Sequence, residues 1–405
     1  MAILTIIILL FILGIAYWQT RSVLHPAVIT SALWSIMIIL YHVVDFGLYA
    51  LTDKIYYAIL CWSVPLCIVS ILPQYIKTKV PVFVTREGNE KIVNTLRPIV
   101  IISAIIALLA LIYRGLLYNP SNVFNGIRQA SVEALAGEES LVTFPFIIRF
   151  ALTLSQFFLL PFTLYLIFIK KEKSKYVYIL LSLLVVYVLF RSSKSIIAQF
   201  SLAFFCIAWH KKIINKRNVL LFVLIFIGLM FLLQLLRRAD ESGDFDIIRF
   251  ISIYLMASFP AMDGMMQFPA HSMIESFNGE YTFRAFLKII QLFDPSLLGN
   301  SDEFNLKNWS SVPLPTNVYT ILYPFYEDFG YAGLGIFGAI YGLIGGILHK
   351  HMQADYTVST LMYSSIFFVF VFQFFNDFGM MYFWTHISFL LCILLITFPQ
   401  KKQNL

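Results

Sequence analysis

Stretches of apolar residues long enough to cross a lipid bilayer recur along this chain of 405 residues, and they constrain its fold more than any other feature. Eleven runs stand out, near 2–18, 27–44, 56–76, 97–113, 142–169, 176–190, 195–209, 219–236, 331–348, 357–375 and 380–398. In hydrocarbon every backbone N–H and C=O must find its partner within the protein, which leaves only helices or a closed barrel. The runs are continuous rather than alternating, so they predict helices. Composition agrees. The chain is 60% hydrophobic and 13% charged, whereas a soluble domain carries roughly a quarter charged residues. The expected fold is an all-α polytopic integral membrane protein, a single membrane domain over 1–405 with about eleven transmembrane helices (ten to twelve). The first run lacks a basic flank and a small-residue cleavage site, so a retained helix is expected rather than a signal peptide.

Lysine and arginine set the orientation. With the N-terminus outside and the C-terminus in the cytoplasm, the inner segments hold 17 of the 29 basic residues and four of the 22 acids. The outer segments keep 12 basic and 18 acidic residues. The reverse orientation breaks the positive-inside rule at nearly every loop. The net charge of +7 therefore reports topology and contact with anionic lipid, and does not argue for nucleic acid.

Two outer segments are long, 114–141 and 237–330. A connection as long as the second is functional or disordered in a compact protein, and this one is not of low complexity. The stretch FDIIRFISIYLMASFPAMDGMMQF (245–268) predicts an amphipathic helix at the outer surface or a re-entrant hairpin, ending at Pro260 or soon after. YTFRAFLKIIQLF (281–293) predicts a second short amphipathic helix, with Arg284 and Lys288 one turn apart. Arg149 is expected about two turns inside the fifth run, where an arginine costs about 2.5–3.5 kcal/mol unless it faces a polar cavity or a partner. Arg191 and Lys194, in LFRSSKSII, form a tight outer turn. They either snorkel to headgroups or bind an anion, because a guanidinium fork matches phosphate oxygens bidentately.

Proton-handling candidates are few. His271, in FPAHSMIESF, is the only histidine in a long outer segment. Asp263 is either the polar face of the surface helix or a base. The tripeptide Asp-Phe-Gly occurs three times, at Asp45, Asp328 and Asp377, each at an expected outer boundary. There it reads as a boundary mark, with the acid tolerated outside, Phe at the interface and Gly relaxing the helix end. Asp328, beside Glu327, is the copy retained as a site candidate. The sequence shows no metal-ligand spacing, no GxSxG, no phosphate-binding glycine loop and no CxxC. Cys61, Cys67, Cys206 and Cys392 all lie in apolar runs and read as small packing residues.

The order of these features resembles the bacterial oligosaccharide repeat-unit polymerases, the Wzy-type O-antigen and capsule polymerase family. LFRSSKSIIAQF resembles that family's arginine-bearing step between mid-chain spans. ISIYLMASFPAMDGMM resembles the helix that opens its large outer loop, and NVYTILYPFYEDFGYAGLGIFGAIYGLIGG resembles its re-entry into the membrane. The chain departs from the Arg-then-Gly spacing of some members, approaching it only from Arg114 to Gly126.

The resemblance implies a GT-C-like arrangement with one large ordered outer loop, in the plasma membrane. It implies glycosyl transfer between undecaprenyl-pyrophosphate-linked glycans at the outer face, without nucleotide-sugar, metal or other cofactor. It implies a chain-length co-polymerase and a flippase as partners. In that reaction Arg128, Arg149, Arg191, Arg249, Arg284 and Lys194 are candidates to hold pyrophosphate. His271, Asp263 and Asp328 are candidates to accept the hydroxyl proton. Tyr281, Trp309, Tyr319 and Tyr326 are candidates to stack on sugar faces, and Tyr319 and Tyr326 equally fit the interfacial aromatic belt. The alternatives are the related O-antigen ligase and a flippase. A flippase should carry ionisable residues within several spans and show two related halves, which this sequence does not.

Overall fold

The computed structural model describes residues 1–76, 88–135, 143–238, 252–267, 279–290, 310–313 and 315–398. Its helices, in chain order, begin with α1 (Ala2–Thr20), α2 (Pro26–Val43), α3 (Asp53–Ile71), α4 (Glu90–Tyr118) and α5 (Val123–Leu135). There follow α6 (Phe146–Leu164), α7 (Lys175–Phe190), α8 (Lys194–His210), α9 (Lys216–Arg238) and α10 (Ser258–Gln267). The chain closes with α11 (Arg284–Ile290), α12 (Tyr323–Gln353), α13 (Thr357–Val371) and α14 (Phe383–Ile396). The strand structure described is one short hairpin, Ser310–Ser311 against Pro315–Thr316.

Six of the helical segments are long and apolar enough to cross a membrane: α1, α2, α3 with its 3₁₀ extension to Tyr75, α4, α6 with its π turn to Ile169, and α12. Five shorter apolar helices lie at the remaining runs: α7, α8, most of α9, α13 and α14. Large apolar side chains are displayed outward along them, among them Ile3, Phe11, Val43, Phe146 and Leu220. Such a surface aggregates in water and is matched by lipid. The protein is a helical membrane protein.

Packing divides the chain into two compact units. The first comprises 1–78, 244–350 and 369–383. Its centre is a close parallel approach of α12 to α3. A Cβ added at Gly338, Gly342 or Gly346 would lie 2.5, 2.3 and 2.2 Å from the carbonyl oxygens of Trp62, Leu66 and Ser70. Both series advance by four residues, one stripe on each helix, so the backbones touch along two turns. With no water to expel from between helices in lipid, this close van der Waals contact is what holds them. Beside it lies a buried polar knot. The Trp34 and Trp62 indoles both donate to Gln373 Oε1, at 3.3 and 2.8 Å. The Gln373 amide donates to Thr30 Oγ1 at 2.7 Å and to the Phe370 carbonyl at 2.9 Å. A fully satisfied amide ties α2 and α3 to the segment after α13.

The second unit comprises 79–243, 351–368 and 384–405. Its core runs through Val100 and Ala107 of α4, Leu159 of α6, Leu180 and Leu184 of α7, Phe200 and Ile207 of α8 and Phe389 of α14. Ion pairs join the charged ends of its segments. Arg97 meets Glu172 at 2.8 Å, and Lys211 meets Asp355 at 2.6 Å.

The segment read as a surface helix is different in kind. A π turn over Ser252–Met256 precedes α10, which runs through Pro260 rather than ending there. Pro260 stands in the first turn, where backbone N–H groups have no intrahelical partner, so its missing donor costs nothing. Most of α10 is buried, Asp263 included.

Replacing Gly342 with Val forces a side chain into the Leu66 backbone and should cost about 1–3 kcal/mol, read as a lower apparent melting temperature in detergent. Gly228→Ala, with open space at its Cβ position, should leave the melting temperature unchanged or raised. Equal behaviour of the two variants would contradict the helix contact.

Candidate functional site

Four of the six basic candidates, Arg128, Arg149, Arg191 and Lys194, belong to the second unit. Helix α5, from the segment 114–141, lies over the end of α4 because glycines face each other there. A Cβ at Gly126 would stand 2.0 Å from the Gly115 carbonyl oxygen, and one at Gly115 would stand 2.6 Å from that of Val123. Arg114 clamps the pair, its Nη2 donating to the Ala130 carbonyl at 2.9 Å. Asn122 donates to the Leu236 carbonyl of α9 at 3.1 Å. The Phe124 ring stacks on Phe190 at 4.9 Å, and Ser192 Oγ donates to the Phe124 carbonyl at 3.4 Å. One short helix thus ties together the ends of α4 and α9 and the turn between α7 and α8.

That turn carries Arg191 as the C-cap of α7 and Lys194 as the first residue of α8. Arg191 suits the negative end of its helix. Lys194 does not: a cation at a helix N-terminus opposes the macrodipole by about 0.3–1 kcal/mol. The N-cap, Ser193, makes no side-chain capping bond and shares a hydrogen bond with Ser195 Oγ at 2.9 Å instead. Arg128 is exposed on α5, one turn beyond Phe124. The structure therefore brings Arg128 to the neighbourhood of Arg191 and Lys194. Arg149 does not lie two turns deep. Pro145 starts α6 late, at Phe146, so Arg149 falls in the first turn and is exposed.

The acidic candidates belong to the first unit. The turn 279–283 docks on the first two turns of α12. Asp328 accepts from the Thr282 N–H at 2.6 Å and the Tyr281 N–H at 3.3 Å, and Thr282 Oγ1 donates to the Pro324 carbonyl at 3.2 Å. This brings Glu280, which is buried, close to Glu327 and Asp328. One oxygen of Glu327, Oε2, is buried with no hydrogen-bond partner among the described residues. Tyrosines line the group. Tyr319 stacks on Tyr323 at 4.5 Å and Tyr281 meets Tyr323 edge-on at 5.4 Å. Burial pushes the Tyr281 hydroxyl up to about 12, and the carboxylates of Glu327, Glu280 and Asp328 add to the effect. Arg284 opens α11, four residues beyond Glu280, and is half-buried. It is the one basic candidate described in this unit.

The three Asp-Phe-Gly copies separate by what their acids hold. Asp45 accepts from its own Gly47 N–H at 2.8 Å, and Asp377 from its own Gly379 N–H at 3.0 Å. Both are Asx turns at helix boundaries. Asp328 reaches another segment instead. Its Gly330 takes φ 59° and ψ −150°, a conformation open to glycine, and breaks α12 between the acids and the apolar run. Asp377 is buried and also accepts from Tyr341 Oη at 2.6 Å.

Asp263 is 1% exposed. It accepts from Thr52 N–H at 2.8 Å, Thr52 Oγ1 at 2.5 Å and Gln267 at 3.2 Å. Its carboxylate fastens α10 to the start of α3, instead of turning the helix's polar face to water. His271, Arg249 and Trp309 lie outside the described residues. Among the described residues no three His, Cys, Asp or Glu side chains are placed to hold a metal ion. The sequence reading missed Glu280 and the role of the Gly115–Gly126 contact. Only a pairing of residues far apart in the chain reveals the first. The second had a visible signal in the one near match to an Arg-then-Gly spacing.

Comparison with profiles of known protein families, with curated proteins and with solved structures returns no match.

Two predictions follow from these carboxylates. Asp263→Ala strands the donors of Thr52 and should cost about 1–3 kcal/mol, seen as a lower melting temperature whatever it does to activity. Burial raises the Asp377 carboxyl from 3.8 to about 6 in the folded chain. The folded state therefore holds a proton that the unfolded chain has released, so this group's contribution to stability is fully present below pH about 4 and is lost as pH rises through about 6. Melting temperature against pH should show this slope, and Asp377→Asn should make it shallower, leaving the part due to Glu327, whose carboxyl burial raises to about 7.

Proposed function

We propose that this protein is a lipid-carrier-dependent polysaccharide polymerase of the plasma membrane. It joins undecaprenyl-pyrophosphate-linked oligosaccharide repeat units at the outer face by glycosyl transfer. Eleven spans, the N-terminus outside and the C-terminus in the cytoplasm, complete this reading, and the six long and five shorter apolar helices are consistent with it. The observation that carries it is the docking of α5 on the α7–α8 turn, which draws Arg128 toward Arg191 and Lys194. Cations on an outer turn run against the positive-inside rule, and an anionic substrate is the physical reason to retain them.

In this reaction a hydroxyl oxygen of the acceptor sugar forms a bond to the donor's anomeric carbon. The bond from that carbon to the diphosphate oxygen breaks, and lipid diphosphate leaves with the electron pair. Arg191, Lys194 and Arg128 stabilise the charge that develops on the leaving group. The hydroxyl proton passes to a carboxylate. Of the described acids, Glu327 fits that role best, since Asp263 and Asp328 are spent on neighbouring N–H groups and Glu327 Oε2 has no hydrogen-bond partner among the described residues. The tyrosines beside it offer flat faces for sugar rings, and Glu280 and Asp328 set the charge around it.

Deletion of the gene in its native bacterium tests the reading. Loss of a polymerase leaves surface glycan one repeat unit long, loss of a flippase leaves none, and loss of a ligase leaves polymer on the carrier lipid. Complementation with Glu327→Gln should reduce polymerisation by about 10²–10⁴-fold at normal expression, the range for removal of a general base. Normal polymer length in the deletion strain would contradict the enzymatic reading altogether.

A further inference from the structure

Helices α13 and α14 hold 15 and 14 residues. That is a rise of about 21–22 Å each, short of the roughly 30 Å of a bilayer's hydrocarbon. The irregular segment between them, 372–382, belongs to the first unit and is drawn down into it. Gln373 meets Trp34 and Trp62 in the middle of α2 and α3. Asp377 meets Tyr341, about three turns along α12 from the break at Gly330. Irregular backbone at such depth has to be enclosed by protein or to line water. Two further chain ends meet it there. The Ile321 N–H, just before α12, donates to the Gln373 carbonyl at 2.7 Å. Ser258 Oγ, at the start of α10, donates to the Phe374 carbonyl at 2.5 Å.

The segment carries one buried acid. Asp377 Oδ1 accepts from Tyr341 Oη at 2.6 Å, from the Gly379 N–H at 3.0 Å and from the Met380 N–H at 3.3 Å. A Cβ at Gly379 would collide with the Tyr341 hydroxyl, so the close approach needs that glycine. Tyr341 of α12 is the titratable side chain that meets Asp377. Around that tyrosine stand the rings of Trp62 and Phe325, not a cation. Among the described residues no ion pair includes Asp377. A hard metal cation needs further oxygen acceptors beside a carboxylate. The neighbours here are N–H and O–H donors, so the cation that suits the place is a proton. Burial outweighs those donors, and the closed segment therefore holds a proton more readily than one opened to water. By linkage, the proton then holds the segment closed.

We infer that Asp377 is a proton-binding site, that uptake of a proton from water locks the segment 372–382 against α12, and that its release lets the segment open. Asn376, half-exposed beside it, marks where water reaches the step. Opening slackens the hold of Gln373 on Ile321 and of Phe374 on Ser258, and with them the starts of α12 and α10. Proton binding at Asp377 thereby biases the place that carries Glu327 and Asp328. None of this depends on the polymerase reading.

The test uses the full chain in phosphatidylcholine nanodiscs. Infrared difference spectra taken between about pH 4 and pH 8 follow the C=O stretch of protonated carboxyls. Asp377→Asn should remove one titrating carboxyl, and that carboxyl should persist in Glu327→Gln. Tyr341→Phe takes away a donor to the ionised form and should move the midpoint of that carboxyl upward by about one pH unit. Choline in place of sodium at equal ionic strength should leave the midpoint where it is. Backbone amides of 372–382, corrected for the intrinsic pH dependence of exchange, should exchange about tenfold faster at pH about 8 than at pH about 5. Asp377→Asn, which mimics the protonated side chain, should hold the slow rate at both. Should that variant fail to fold by its melting temperature, the midpoint in Tyr341→Phe carries the test. The same set of titrating carboxyls in folded Asp377→Asn, a midpoint that stays or falls in Tyr341→Phe, a midpoint that follows sodium, or equal exchange at both pH values would each overturn the inference.

Discussion

The contact of α12 with α3 through Gly338, Gly342 and Gly346 governs the first unit. Lipid offers no hydrophobic drive to bring two helices together, so their approach depends on how closely backbones fit. Once seated, α12 holds Glu327 and Asp328 at its start, just before the break at Gly330. Asp328 then captures the turn that brings Glu280 and Tyr281 to the same place. The start of α3 is fixed in turn by Asp263. A stripe of residues without side chains is therefore what makes a cluster of charged ones possible.

The two units divide the work of charge. In the second, Arg128, Arg191 and Lys194 stand around the end tied by α5. In the first, carboxylates and tyrosines gather at the start of α12. Acids whose oxygens are taken up by backbone N–H groups serve the fold, and this sorts the candidates by physical role. Asp263, Asp377 and Asp328 fasten backbone; Glu327 is held by its neighbours without being consumed by them.

Much of the fold was legible because hydropathy is a local property. The apolar helices fall where the runs fall, with ends shifted by a few residues at caps such as Pro145 and at the 3₁₀ turn after α3. The glycine-rich run was visible, but its meaning lay in α3, hundreds of residues away. Pro260 misled because its effect depends on position within a helix: a stop in the interior, harmless in the first turn. At Asp45 and Asp377 the Asp-Phe-Gly step is an Asx turn just beyond a helix end, a local pattern written in three consecutive residues. The burial of Asp263 and the meeting of Glu280 with Glu327 were not legible, because both arise from tertiary contact between segments that carry no shared pattern.

The most direct test of the account is reconstitution. The purified chain in proteoliposomes would be supplied with one lipid-diphosphate-linked repeat unit, and the products resolved by length. The account predicts a ladder of lipid-linked oligomers, with one free lipid diphosphate released for every repeat unit added. Repeat units that cross the membrane or remain unextended, with no lipid diphosphate released, would contradict it.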